Sequence, residues 1–293
     1  MLGVLGQNLL SGLLVGSLYG LAALGLSLVF GVLKILNVAH GELIMLGGYA
    51  GFWLFSSFGV DPFLALLLVI PMLFGVGWAL HQGLFRQVVQ FDQESRIKNS
   101  LLIGFGLTLL LHNLAILLWT ADDRAVTTAY STAAWTALGL RLPLVRLAGF
   151  GVSLAAVVVM EWFLERTTLG TAIRATAEDW RSASLTGINI QSTYLLTFAL
   201  GSALAGVAGS LISVTFSVNP SIGLAWTLKA LIVVVLAGLG SMRGTFVAGL
   251  LLGTAESLSA FVIGGQYRSL VGLVMFLIVL SVRPQGLFGG QER

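Results

Sequence analysis

The chain has 293 residues, 57% of them hydrophobic and 9% charged, with a formal net charge of +3 and a mean hydropathy of +0.98. Soluble domains carry about 25% charged residues, so the expected class is an all-α integral membrane protein; the basic residues are scattered, and no nucleic-acid partner is expected. The absence of cysteine removes disulfides, thiol chemistry, Cys-based metal sites and lipidation on cysteine.

A helix crosses a bilayer with about 20 apolar residues. On that criterion spans are predicted near 4–34, 40–58, 63–81, 100–119, 147–164, 190–214, 224–240, 245–263 and 267–282, in one transmembrane domain covering 1–293. The first is long enough to be tilted or broken. The one near 224–240 is short enough to be re-entrant, so the expected count is eight or nine. No basic region precedes the first apolar run, and no cleavable signal peptide is expected.

Along the first span Gly12, Gly16 and Gly20 recur every fourth residue, a small-residue face that lets another backbone approach closely. Gly201, Ala205 and Gly209, and Gly249 and Gly253, repeat the spacing. Packing within the chain and a seam against a second subunit both use such faces. Asn8, Ser11, Ser17, Tyr19, Ser27 and Asn37 add polarity, suited to helix-to-helix hydrogen bonds or to lining a path.

The turn Asn37–Gly48 joins the first two spans, and Gly238–Gly249 joins two late ones. Each places His40 or Arg243 before a glycine, Gly41 or Gly244, and then continues as an apolar helix. This echo suggests an internal repeat, as transporters often carry, with the pathway at the repeat interface. Asn37, His40, Gly41, Glu42, Ser241 and Gly244 are therefore the turn and pathway candidates. The histidines His40, His81 and His112 belong to no metal or catalytic motif, and no P-loop occurs. No enzyme activity, metal site or cofactor of its own is expected. The 120–146 segment, with Asp122, Asp123 and Arg124, is the largest expected outer loop, either a docking surface or a plain solvated loop.

The polar island 165–188 reads as a helix lying outside the membrane. Thr171 suits its N-cap and Gly187 the residue that stops it. Ile173, Ala177, Trp180 and Ser184 recur at helical spacing, and Arg174, Glu178 and Arg181 support one another at i+4 and i+3. Trp180 then needs an apolar seat, in the membrane interface or in a partner's groove.

Intramembrane charge is costly and marks function by default. Lys229 and Glu256 each lie about 20 Å of helix from the turn at Met242, so an antiparallel hairpin brings them to similar depth as an ion pair. The alternative has Lys229 snorkelling to the surface and Glu256 bonded to Ser257 or Thr254.

With the island cytoplasmic, alternation puts ten basic residues inside (Lys34, Arg86, Arg96, Lys98, Arg166, Arg174, Arg181, Arg243, Arg283 and Arg293). Five remain outside or within spans: Arg124, Arg141, Arg146, Lys229 and Arg268. The excess predicts an outside N-terminus and a cytoplasmic C-terminus.

The run Thr168-Leu169-Gly170-Thr171-Ala172-Ile173-Arg174-Ala175, with Glu178-Asp179, Ala183 and Gly187-Ile188-Asn189, resembles the cytoplasmic signature of branched-chain amino acid ABC importer permeases. Asn37-Val38-Ala39-His40-Gly41-Glu42 with Met45-Leu46-Gly47 is similar to the same family. So are Asn219-Pro220 with Gly223, Leu228-Lys229-Ala230, Leu239-Gly240-Ser241 with Gly244, and Pro284 to Gly289. The resemblance spans roughly residues 10–290; the 120–146 segment carries no recognisable family motif.

The resemblance implies one permease subunit of a bacterial inner-membrane importer for neutral or hydrophobic amino acids. Its implied partners are a second related permease, two cytoplasmic ATPases that bind ATP and Mg, and a periplasmic or lipid-tethered binding protein. Residues 171–187 would be the coupling helix, with Thr171, Arg174, Ala175, Glu178, Asp179, Trp180, Ala183 and Gly187 at the ATPase contact. Ala177-Glu178-Asp179 departs from the Glu-Ala-Ala…Gly order of other importer classes, which bears on which ATPase docks. A urea or amide importer permease is the near alternative, and a stand-alone secondary transporter or channel the distant one.

Overall fold

Short polar side chains set where helices begin. Asp61 accepts from the amide of Phe63, Asp92 from Ser95, Thr167 from Gly170, Asp179 from Arg181, Asn189 from Ser192 and Ser241 from Gly244. Each satisfies one of the amides that a helix start leaves unpaired. The computed structural model describes residues 2–137, 139–238 and 240–289. The helices are α1 (Leu2–Leu33), α2 (His40–Phe58), α3 (Pro62–Leu80), α4 (Arg86–Val88), α5 (Gln93–Trp119), α6 (Leu144–Arg166), α7 (Thr168–Glu178), α8 (Trp180–Leu185), α9 (Ile190–Thr215), α10 (Ile222–Ala237), α11 (Met242–Val262) and α12 (Arg268–Val282). A π-helical turn, His81–Phe85, joins α3 to α4. Strands β1 (Ala134–Ala137) and β2 (Leu140–Pro143) form an antiparallel hairpin.

Each predicted span coincides with a helix. Among the described residues seven helical stretches are long and apolar enough to cross a membrane. The two left out are α2, which carries His40 and Glu42, and α10, only 16 residues long. The first span is not broken: α1 runs for 32 residues, about 48 Å, against a hydrocarbon core of about 30 Å.

α1 and α9 form the centre, 89% and 83% buried in their apolar windows, while α12 lies at the edge with 6%. The glycine faces explain why the central helices pack so closely. A Cβ at Gly12 would lie 2.7 Å from Cα of Thr254, and one at Gly16 2.7 Å from the carbonyl of Gly249. Gly20 meets Phe246, so α1 and α11 run antiparallel with backbones nearly touching. On α9, Gly201 faces Gly25, Gly206 faces Leu73 of α3, and Gly209 faces the Ile44 carbonyl of α2. The stripes are thus used for packing within this chain.

α2 and α10 both begin inside the bundle. Lys34 adopts φ 54° and turns the chain back at the end of α1. His40 then donates from Nε2 to the Ala22 carbonyl at 2.8 Å, eleven residues or about 16 Å before Leu33. α10 starts against this point: the Gly41 amide donates to Thr227 Oγ1 at 2.9 Å, and a Cβ on Gly41 would overlap the Gly223 carbonyl oxygen. The turns that lead into α2 and α10 are built alike. Asn37 Oδ1 accepts from the Ala39 amide and Asn219 Oδ1 from the Ser221 amide, and a glycine stands four residues after each asparagine, Gly41 and Gly223.

The 120–143 segment lies at the opposite end from α7 and α8, because α5 has its N-terminal residue Arg96 beside Tyr194 and carries the chain 27 residues away. It is tied down rather than free. Arg124 and Val218 exchange backbone hydrogen bonds, Asn219 donates to Asp123 at 2.7 Å, and Gln7 pairs with the backbone of Arg141. The Arg124 guanidinium donates to the Trp119 carbonyl and lies over Trp53 at 5.2 Å.

Candidate functional site

The helix expected over 171–187 is two helices, α7 and α8, broken at Asp179. Thr171 is not its N-cap. Thr167, in extended backbone at φ −109°, accepts from the Gly170 amide, whereas Thr171 lies inside the helix and donates back to the Thr167 carbonyl. Asp179 at φ −149° ends α7 and caps α8, accepting from the Arg181 amide and from the Ser182 hydroxyl at 2.6 Å. Gly187 at φ 88° follows α8 with open space around it, a backbone state that any Cβ would strain.

Because of the break, the predicted strip divides. Gly170, Ile173 and Thr176 face the bundle; Gly170 sits directly on the Phe163–Leu164 backbone of α6. Ala183 is also buried and Ala175 half-buried, while Thr171, Arg174, Glu178, Asp179, Trp180 and Ser184 face outward with Leu169 and Leu185. Leu185 is 88% exposed. Among the described residues Arg174, Glu178 and Arg181 form no ion pair with one another; Arg181 lies over the Trp180 ring at 5.4 Å. The outer surface is therefore that of two short helices meeting at Asp179, with Trp180 and Leu185 exposed and the inner face held to the bundle. Beside it, a hollow of about 430 Å³ runs between Val32, Asp92, Arg96, Glu178 and Tyr194.

The Ser182 hydroxyl and Arg181 amide hold the Asp179 carboxyl below the usual carboxylate range. Its folded value is depressed, so the cap contributes fully above the unfolded value of about 3.9 and is lost as pH falls through the lower folded one. The protection of the Arg181–Ala183 amides, their exchange corrected for its intrinsic pH dependence, is expected to fall severalfold on acidification below that point. Asp179→Ala should show the low protection already at neutral pH; a flat profile in both would remove Asp179 as the cap.

The turn candidates fall into two unlike places. Asn37, His40, Gly41 and Glu42 are all buried at the start of α2. Glu42 is 1% exposed, with Oε2 unpaired beside Gly223. Ser241 and Gly244 instead cap α11 at the end of the bundle bearing α7, where Arg243 pairs with Glu161 at 2.8 Å and Glu165 at 2.9 Å. Leu239 of that turn and Arg293 lie outside the described residues.

Lys229 Nζ lies 2.6 Å from Glu256 Oε1, and Glu256 is 1% exposed. Sequence reasoning missed two further members of this cluster. Tyr19 donates its hydroxyl to Glu256 Oε2 at 2.9 Å, and Arg268 Nε lies 3.4 Å from the same oxygen. It also missed Arg96, buried and donating to the carbonyls of Leu33 and Phe91, where a cation faces the C-terminal end of α1. Among the described residues no group of three His, Asp or Glu side chains has the geometry to hold a metal ion.

A family described as branched-chain amino acid transport system, permease component, matches residues 8–280. The chain is 32% identical to the high-affinity branched-chain amino acid transport system permease protein BraD of Pseudomonas aeruginosa, over 98% of this chain and 96% of that one. It is 31% identical to the LivH permease protein of Escherichia coli K12, with the same coverage of both chains. To the probable branched-chain amino acid transport permease LivH of Methanocaldococcus jannaschii it is 25% identical, over 92% of this chain and 88% of that one.

Proposed function

The chain belongs to the permease component family of branched-chain amino acid transport systems, and from that premise we propose that it is one membrane subunit of an ABC importer for neutral, hydrophobic amino acids. The observation that carries this reading is the similarity over nearly the whole chain to branched-chain amino acid transport permeases. The multi-pass helical bundle is the scaffold that such a subunit needs. It would sit in the bacterial inner membrane with a second related permease, two cytoplasmic ATPases and an external binding protein. ATP and Mg would be bound by those ATPases.

In this reading α7 and α8 are the coupling element. Trp180 and Leu185 seat in a groove of one ATPase while Gly170, Ile173 and Thr176 pass the movement to α6 and α1. Basic residues gather at this end, supporting a cytoplasmic position for it and for the C-terminus. The count is eight or nine crossings, with α2 and α10 as the short helices that begin within the membrane. An inverted repeat relating α1–α3 to α9–α11 is supported by the matched turns at Asn37 and Asn219, and by the antiparallel packing of α11 on α1 and of α3 on α9. That register differs from the echo between Asn37–Gly48 and Gly238–Gly249. Transport then proceeds by alternating access, with hydrolysis performed by the partners.

Purification from native membranes tests this. Two P-loop ATPases are expected to co-elute with ATPase activity, and Glu178→Arg with Gly187→Val should lose them while the chain still folds. A chain that elutes alone and still carries solute into vesicles is a secondary transporter, and the importer reading falls.

A further inference from the structure

One polar cluster has a charge count that does not close. Glu256 is buried and supplies a single carboxylate, yet Lys229 and Arg268 both reach it, at 2.6 and 3.4 Å. Two cations on one anion leave a net positive site. Its depth makes this costly: Glu256 lies 14 residues or about 21 Å along α11 from Met242, level with Gly12 of α1, hence about two thirds of the way across a core of about 30 Å.

Lys229 is not sealed in. Its side chain is 23% exposed and borders a hollow of about 250 Å³ with Tyr19, Phe216, Ala225 and Trp226. An ammonium has three donors, and one goes to Glu256. The rest of the wall is aromatic: Tyr19 meets Trp226 edge-on at 5.6 Å, and Phe216 lies 6.4 Å from Trp226. Lys229 Nζ also stands over the Tyr19 ring at 4.7 Å. The volume is just under the roughly 300–1,000 Å³ of drug-sized sites, which suits a solute of amino-acid size. Beside the hollow, Leu224 and Leu228 of α10 are more than half exposed, so among the described residues it opens on an uncovered face.

We propose that this hollow is a solute-binding station on the pathway, where the carboxylate of an apolar amino acid meets the Lys229 ammonium and its side chain lies against Trp226 and Phe216. The proposal rests on the importer-permease reading and gives that reading a site. The aromatic wall favours solutes with an aliphatic or aromatic side chain. Lys229 favours those that keep a carboxylate, and Glu256 with Tyr19 orients the lysine from behind.

The test is uptake by the assembled transporter in proteoliposomes, with its binding protein, comparing alanine, leucine and phenylalanine. The double variant Lys229→Gln with Glu256→Gln removes both charges while keeping side-chain size. It is expected to co-purify with its ATPases and second permease but to lose at least about tenfold in uptake, the scale of one charge-assisted hydrogen bond. Trp226→Ala is expected to shift the ratio of phenylalanine to alanine uptake severalfold, a change that general destabilisation does not produce. Wild-type uptake by the assembled double variant, or an equal fall for all three solutes in Trp226→Ala, overturns the proposal. A wild-type chain that never co-purifies with ATPases is a failure of the importer reading, and is seen before any variant is made.

Discussion

Glu256→Ala is expected to destabilise the folded protein by about 3 kcal/mol, the lower end of what removing one partner of a buried ion pair costs. The lower end applies because Lys229, 23% exposed, retains some access to its hollow. The loss has three parts: Lys229 keeps its charge without an anion, Arg268 loses its nearest carboxylate, and the Tyr19 hydroxyl loses its acceptor. Glu256→Gln keeps an oxygen for Tyr19 or Lys229 and should cost less. Replacing Lys229 and Glu256 together by leucine and methionine removes the unpaired ammonium and should recover the part of the loss that Lys229 causes, while Arg268 and Tyr19 still lack their acceptor. Unfolding midpoints in detergent distinguish these cases. Equal destabilisation of the Glu256→Ala and double variants would mean that the loss does not come from leaving Lys229 without its anion.

Much of this architecture was legible in the chain, and the failures have physical causes. Long apolar runs locate helices well because a membrane span has few other ways to satisfy its backbone. Lys229 and Glu256 could be paired on helix rise alone, since the 238–241 turn is short. Which stripe packs on which was not legible: Gly12, Gly16 and Gly20 have the same spacing as Gly201 and Gly209, and spacing carries no address. The cap of α7 was misread because Thr167 and Thr171 are both capable residues one turn apart. The decision fell to the end of α6, where the Thr167 hydroxyl donates to the Phe163 carbonyl. The break at Asp179 was invisible to periodicity, because every residue from Ala177 to Ser184 tolerates a helix. The turns at Asn37 and Asn219 share only an asparagine and a glycine four residues on, too little to stand out before their Asx geometry is seen side by side.

Gly41→Ala and Gly209→Ala should each lower stability by about 1–3 kcal/mol or more, the range for forcing a methyl into a filled interior. At both positions the obstacle is rigid. The added Cβ would overlap the Gly223 carbonyl oxygen in the first case and the Ile44 carbonyl oxygen in the second. A flexible side chain can rotate away, but a helix backbone can only move as a body, taking α10 from α2 or α2 from α9. Gly106→Ala in α5 and Gly151→Ala in α6 are the matched controls, since nothing lies within 4 Å of a Cβ there. They should be neutral or stabilising by up to about 1 kcal/mol through helix propensity. Thermal midpoints of the four variants in one detergent decide the matter: if Gly41→Ala and Gly209→Ala follow the controls, the helices are not held at backbone contact. If they fall as expected, a milder variant, Thr227→Val, becomes informative. It keeps the volume but removes the hydroxyl that receives the Gly41 amide. It should therefore loosen the junction where α2 and α10 begin without prising the backbones apart, and reduce transport more than it reduces stability.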